Sequence, residues 1–401
     1  MESARRQGHP GGGRVHPPAA GRDEQGAGRD VQADRALMGQ RISFDEAAAL
    51  AKAGDAEAQY ALSAALHQRG RFDESLHWLR LAAARELIPA RLALAAMVMD
   101  GRQCPRDLQQ ALDLLRPLAA TQVKANLLLA ELHGFAVFEL GERATGLRYL
   151  LAAARMGDAG AARQLKLLAV LHRYDERSDD HSIEAMLPEL AGDLSLPVAE
   201  PLCEAPRIRR LPGAIPPGVL DALIALATPL VQRSQIVDAR TGEVRADPMR
   251  SSSHATLGPR HHDHVLEAIE QCIARVSGVS ALNGEFVQVL RYRKGEEFRP
   301  HVDYFNDGAD AAYRSLADGG QRAQTVLIYL NDGYTGGTTR FPKLQLDIQG
   351  RRGDILHFHN LDADGAGHRD SLHAGMPVID GEKWLLSKWI RSDRYPPRVT
   401  R

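Results

Sequence analysis

Four stretches of the chain repeat one another. "AGDAEAQYAL" (53–62), "RELIPARLAL" (85–94), "TQVKANLLLA" (121–130) and "MGDAGAARQL" (156–165) align on Ala58, Ala90, Ala125 and Ala161, in steps of 32, 35 and 36 residues. Between them "WLRLAAAR" (78–85) matches "YLLAAARM" (149–156), with "LLRPLAAT" (114–121) as a weaker copy. A period near 35 with room for two helices predicts an α-solenoid, in which each hairpin buries its apolar face only against its neighbours. Alanine is needed where paired helices approach closely, and Leu, Trp78 or Tyr149 fill the grooves.

The repeat confines the solenoid to residues 39–172. The unit "AGDAEAQYALSAALHQRGRFDESLHWLRLAA" resembles the Sel1-like subclass of tetratricopeptide repeats, over about residues 45–170. That resemblance implies either a helical spacer or a concave surface for a peptide or partner protein. Residues 1–38 precede it. The first 35 contain seven Gly, three Pro and no Leu, Ile or aromatic residue, which cannot repay the entropy of ordering. This arm is expected to be disordered, and Met38 is an alternative translation start. Residues 173–205 are charged and then proline-bearing, as suits a linker.

From 206 to 401 the texture changes. Two expected helices, around 216–232 and 263–277, precede short runs rich in Val, Ile, Tyr and Phe, such as "EFVQVLRYR", "FRPHVDYF", "AQTVLIYLND" and "KWLLSKWIR". Gly and Asp turns between them predict an all-β sandwich or barrel. The expected fold class is therefore multidomain: an N-terminal α-solenoid followed by an antiparallel β-domain with flanking helices.

Composition removes several function classes. Fifty Lys and Arg against 51 Asp and Glu leave a formal charge of -1, so overall charge suggests neither nucleic acid nor an anionic membrane. Cys104, Cys203 and Cys272 are isolated and odd in number, as in a reducing compartment. No run approaches the ~20 apolar residues that span a bilayer. The expectation is a soluble, cytoplasmic protein.

Chemistry enters at "RPHVDYF" (299–305). Residues i and i+2 of a strand point the same way, so His301 and Asp303 share one face while Val302 takes the other. A ferrous site of the facial type needs two imidazoles and one carboxylate on one side of the metal. His357, His359, His368 and His373 are the candidates for the missing imidazole. His357-x-His359 also shares a strand face and would suit a cupin-type pair, but that pair wants a glutamate nearby and "NLDAD" supplies none. His373, in "LHAGMPVIDGEKW", is the better choice.

The segment 206–395 resembles the catalytic domain of prolyl 4-hydroxylases, which are 2-oxoglutarate- and iron(II)-dependent dioxygenases. The resemblance rests on "EFVQVLRYRKGEEFRPHVDYF", "RAQTVLIYLNDGYTGGTTRFP", "GRRGDILHFHN" and "HAGMPVIDGEKWLLSKWIR" in that order. It implies a double-stranded β-helix (jelly roll) with Fe(II) held by His301, Asp303 and His373. It also implies 2-oxoglutarate as cosubstrate with O2, and ascorbate as the reductant. Lys383 is implied as the cation for the distal carboxylate of 2-oxoglutarate, with Tyr292 and Thr325 as further cosubstrate contacts. Strand parity supports Lys383: in "KWLLSKWI" it shares a face with Leu385, Ser387 and Trp389, while Lys388 lies on the other face and is expected in solvent.

Arg322 and Arg340 are candidate substrate contacts near the mouth, and "MRSSSHA" (249–255) resembles the flexible family segment that covers substrate. The expected reaction is hydroxylation of an unactivated C–H, a prolyl residue of a peptide or protein held partly by the repeats. The same chemistry on a free amino acid or other small molecule is one alternative. A repeat-based binding protein with a silent jelly roll is the other.

Overall fold

A computed structural model describes residues 33–34, 41–101, 103–175, 180–237, 244–246, 249–305 and 319–395. The expected disordered arm and the Met38 start lie outside the described residues, apart from a short ladder between β1 (Ala33–Asp34) and β2 (Arg41–Ile42). The chain divides into two compact units, residues 1–81 and 82–401.

The first unit holds α1 (Phe44–Lys52), α2 (Ala56–Gln68) and most of α3 (Phe72–Ala84). Ala51, Ala58, Leu62 and Leu66 form its core, with Trp78 and Phe44 packed against them. Ser63 and Ser75 tie α2 to α3 reciprocally, each hydroxyl donating to the other's carbonyl at 2.8 Å. The repeat is visible in the caps. Gly54 and Gly157 both take a left-handed conformation (φ 97° and 98°), and the following Asp55 and Asp158 accept from the amides of Ala58 and Ala161 at 2.7 Å. Only glycine turns there without strain, and the aspartate satisfies an orphan amide of the new helix.

The second unit continues with α4 (Ile88–Asp100), α5 (Leu108–Leu115), α6 (Val123–Gly134), α7 (Arg143–Arg155), α8 (Ala159–Leu171) and α9 (Asp180–Leu190). Strands β3 (Glu200–Glu204) and β4 (Arg207–Leu211) follow, then α10 (Pro217–Ala227), β5 (Gln232–Arg233), β6 (Gln235–Val237), β7 (Val244–Ala246), β8 (Ser253–Leu257) and α11 (His264–Ser277). The remaining strands are β9 (Val287–Tyr292), β10 (Phe298–His301), β11 (Arg322–Tyr329), β12 (Thr335–Gly336), β13 (Thr339–Phe341) and β14 (Leu346–Ile348). The last are β15 (Ile355–His359), β16 (His373–Gly375), β17 (Val378–Asp380) and β18 (Lys383–Arg391).

An eight-stranded antiparallel sheet, ordered β3-β4-β15-β11-β18-β9-β8-β5, faces a four-stranded sheet, β10-β16-β13-β14. The two make the expected jelly roll, with Leu290, Leu327, Tyr329, Phe341, Phe358 and Leu385 between them. The outer face of the large sheet is covered by helices. Leu147, Leu150, Leu165 and Leu168 of α7 and α8 belong to one buried cluster with Leu223 of α10, Ile269 of α11, and Val289, Val326, Leu386 and Ile390 of the sheet. The last repeat hairpin is therefore part of the core of the β-domain rather than a tethered module. The segment expected to be a linker is built into it too: α9 adds Ile183, Leu187 and Leu190, and β3 begins the sheet. The alternation of its apolar residues is helical, a pattern that the charged and proline-bearing flanks obscured. Among the described residues no helix is long and apolar enough to cross a membrane.

Candidate metal centre

His301 and His373 meet because their strands are neighbours and the two residues are direct cross-strand partners in the β10–β16 ladder. Their ring centroids are 4.4 Å apart. Asp303, two residues past His301, places one oxygen 3.6 Å from His301 Nε2 and the other 3.6 Å from His373 Nε2. Asp303 and His373 are buried. Among the described residues this is the one group of three His, Cys, Asp or Glu side chains placed to hold a metal ion, with ligand atoms within 4.8 Å of one another.

Hydrogen bonds prepare the ligand atoms. His301 Nδ1 contacts the Arg299 carbonyl at 2.8 Å and His373 Nδ1 the Ser371 carbonyl at 2.9 Å. A carbonyl only accepts, so each Nδ1 carries the proton and each Nε2 offers its lone pair to the cavity. Phe298 stacks on the His301 ring at 3.5 Å and fixes its plane. Burial, and then His373, push the His301 imidazole down to about 4. Burial alone would raise the Asp303 carboxyl, but His373, His301 and the Thr325 hydroxyl together hold it below the usual range. Two neutral-nitrogen donors and one carboxylate, with separations near the ~3–4 Å between ligands of one ion at about 2.1 Å, fit a divalent transition metal.

Lys383 projects into the same cavity from β18, as strand parity required. It is 2% exposed; its Nζ donates to the Gly337 carbonyl at 2.6 Å and lies 5.5 and 5.4 Å from the ring centroids of Tyr292 and Tyr329. Gly336 and Gly337 both have positive φ (69° and 62°), and this turn brings the carbonyl onto the lysine. No carboxylate among the described residues lies beside it, and burial pushes the ammonium down to about 7. Tyr292 is the cross-strand partner of Lys383 and lines the cavity beside it.

Other expectations need correcting. Thr325 faces Asp303 rather than an open cosubstrate site: its hydroxyl donates to Asp303 at 2.6 Å and accepts from Asn360 at 2.9 Å. Its single proton is spent on orienting the carboxylate. The threonine that lines the cavity with Lys383 is Thr339, whose hydroxyl pairs with the Tyr329 hydroxyl at 2.8 Å. Lys388 is not in solvent. It is 2% exposed and paired with Glu270 of α11 at 2.8 Å, because that face of β18 is covered by helices.

Arg322 is engaged by Glu285 through two contacts of 2.7 and 2.8 Å and stacks 3.6 Å over the Trp389 ring. Arg340 pairs with Asp347. "MRSSSHA" runs into strand β8, and its Arg250, which the sequence reading passed over, lines the metal cavity; it donates to Ser252 at 3.1 Å. The cupin-type pair is excluded: His357 has both nitrogens engaged, by Arg209 at 2.9 Å and Gln324 at 2.6 Å. Thr339 and Arg250 could have been found from strand parity and from a lone arginine ahead of a β-run, but neither signal is distinctive.

Comparison with known proteins follows the same segment. Residues 287–391 match the 2OG-Fe(II) oxygenase superfamily. Prolyl 4-hydroxylase 1 of Arabidopsis thaliana is 36% identical over 201 residues, covering 47% of this chain and 69% of that protein. Prolyl 4-hydroxylase 5 of the same plant is 37% identical over 194 residues, covering 44% of this chain and 65% of that protein. The crystal structure of the viral collagen prolyl hydroxylase of Paramecium Bursaria Chlorella virus-1 superposes with a TM-score of 0.36 at 26% identity, over 47% of this chain and 98% of that one.

Proposed function

We propose, for a chain that belongs to the prolyl 4-hydroxylase family of 2-oxoglutarate- and iron(II)-dependent oxygenases, that it hydroxylates a prolyl residue of a peptide or protein. The observation that carries this reading is the joint placement of His301, Asp303, His373 and Lys383 on one cavity. Relatives named as prolyl 4-hydroxylases support the substrate class.

His301, Asp303 and His373 would hold the iron, which supplies oxidation of an unactivated C–H coupled to decarboxylation of 2-oxoglutarate. The protein's share is positioning. Thr325 and Asn360 fix the Asp303 carboxylate, and the Arg299 and Ser371 carbonyls fix the imidazoles. Lys383 supplies the buried cation for the far carboxylate of the cosubstrate, with Thr339 and Tyr292 beside it. A cation that is costly to bury alone is stabilised by that anion. Ascorbate serves as reductant, and the repeats hold part of a protein substrate.

The test is mass spectrometry of proline-containing peptides incubated with Fe(II) and 2-oxoglutarate, with succinate measured in parallel. Equimolar succinate and hydroxyproline support the proposal. Succinate released in step with hydroxylation of a free amino acid, and not of peptides, assigns the substrate to small molecules.

A further inference from the structure

The carboxylate of the metal centre is the one ligand that no strand carries. The β10–β16 ladder ends where His301 faces His373, and Asp303 comes two residues later, on a bend. A ligand set works only when its side chains are held to within about 0.5 Å, so a bend needs support of another kind. Thr325 supplies part of it, at the carboxylate itself. The backbone two residues further on is held by a side chain. Gln321, the residue before β11, accepts from the Phe305 amide through Oε1 at 2.6 Å and donates from Nε2 to the Phe305 carbonyl at 2.8 Å. A neighbouring antiparallel strand makes the same pair of bonds with its backbone.

Gln321 is itself fixed. Its amide donates to Ser392 Oγ at 2.9 Å and its carbonyl accepts from the Ser392 amide at 2.7 Å, just past the end of β18. This approach requires glycine before it, because a Cβ on Gly320 would sit 2.1 Å from Ser392 Oγ. The Phe305 ring is held as well. The guanidinium carbons of Arg322 and Arg391 lie 4.9 and 4.8 Å from its centroid, and Glu285 binds both arginines, at 2.7 and 3.0 Å. Arg322 also stacks on Trp389, which lines the metal cavity. One ion cluster therefore backs both a cavity wall and the segment that carries the ligand.

We propose that Gln321 is a positioning residue for the metal centre: its carboxamide replaces the missing ladder and, with Phe305 seated against Arg322 and Arg391, sets where Asp303 stands. The proposal rests on the metal site described above and adds to it a residue that acts through the backbone. Arg322, expected at the substrate mouth, is part of this support.

The experiment uses the full chain and Mn(II), followed by electron paramagnetic resonance. Gln321→Met keeps the length of the side chain and removes both hydrogen bonds. It is expected to weaken Mn(II) binding at least about tenfold, as loss of a group that orients a ligand does, and to broaden the lines of the bound ion. The unfolding midpoint of the metal-free protein should stay unchanged. Phe305→Leu, which removes the ring from the two arginines, should weaken binding about two- to fivefold, the equivalent of a cation–π contact. Asp303→Ala leaves two imidazoles, which favour Ni(II) over Mn(II), so a double-mutant cycle is read by Ni(II) calorimetry. In that background Gln321→Met should change nothing further. Mn(II) binding that neither variant weakens overturns the proposal. A loss of equal size with and without Asp303 overturns it too, since Gln321 would then act on the fold and not through the carboxylate. Wild-type protein that binds no Mn(II) overturns the metal centre itself, and this role with it.

Discussion

Two lysines five residues apart on β18 are both 2% exposed, and they are solved in opposite ways. Lys388 points to the helical side and meets the Glu270 carboxylate. Lys383 points to the metal side and meets a carbonyl and two tyrosine rings, and burial pushes it down to about 7. One face of the strand is finished by the protein itself. The other holds a buried amine that no carboxylate among the described residues meets, which is the physical difference between a finished face and an open one.

The comparison breaks most completely if the helical face is removed. Deleting residues 1–175 takes Leu147, Leu150, Leu165 and Leu168 out of the cluster that covers the large sheet. Losing one buried leucine costs about 2–5 kcal/mol, so the loss of several exceeds the usual stability of a domain. The truncated chain is expected to be insoluble or unfolded by circular dichroism. A soluble fragment with the full-length unfolding midpoint would show that α7 and α8 only decorate the sheet.

On the cavity face, His301→Ala and Asp303→Ala are expected to leave the fold intact and to weaken Mn(II) binding by at least about 100-fold, above the loss seen when a supporting residue is removed. Electron paramagnetic resonance titration reads this directly. Stoichiometric binding that survives either change would mean that the metal sits elsewhere.

The lysines separate the two faces next. Lys383→Met should raise the dissociation constant for 2-oxoglutarate roughly 10- to 100-fold, the equivalent of about 1.5–3 kcal/mol for one charge-assisted contact, while barely lowering stability. Lys388→Met should do the reverse, costing about 3–5 kcal/mol by leaving Glu270 unpaired, with cosubstrate affinity kept. The double variant Lys388→Met/Glu270→Leu should regain most of that stability. If Lys383→Met is the destabilising change, the assignment of faces is reversed.

Legibility in the sequence followed the same division. Lys383 was readable because a strand's period of two is rigid and sorts 383 from 388, whereas Asp303 was named by the same rule although β10 ends at His301 and the carboxylate reaches the site from the bend that follows. What strand parity cannot say is what covers the other face. Lys388 was expected in solvent because nothing local to "KWLLSKWIR" shows that α11, more than 100 residues earlier, lies against it. The repeats were legible from the alignment on Ala58, Ala90, Ala125 and Ala161, yet their fusion to the sheet was not, since a helix face buried on a neighbouring repeat and one buried on a sheet have the same pattern. Thr325, named from the resemblance as a cosubstrate contact, was misjudged for a related reason: only the fold shows that Asp303 takes its proton.

The smallest effect is a fraction of a proton, and it tests the open face most directly. An unfolded lysine titrates near 10.4, whereas burial lowers Lys383 to about 7 in the folded chain without cosubstrate. Between those values the unfolded state holds more protons, so this residue's contribution makes the free protein more stable as pH rises through that window. Cosubstrate reverses the balance, because a carboxylate beside Nζ favours the ammonium. At pH 8 most of the free protein carries a neutral amine, and binding should draw in about 0.9 proton; at pH 6 it should draw in only about 0.1. Calorimetric titration of 2-oxoglutarate into Mn(II)-loaded protein, in buffers of different ionisation enthalpy, measures this uptake, and affinity should weaken by up to about tenfold per pH unit above 7. Lys383→Met should abolish the uptake while Lys388→Met leaves it intact. Uptake near zero at both pH values would mean that Lys383 is already charged before the cosubstrate arrives, and the open face would then hold a counter-charge of its own.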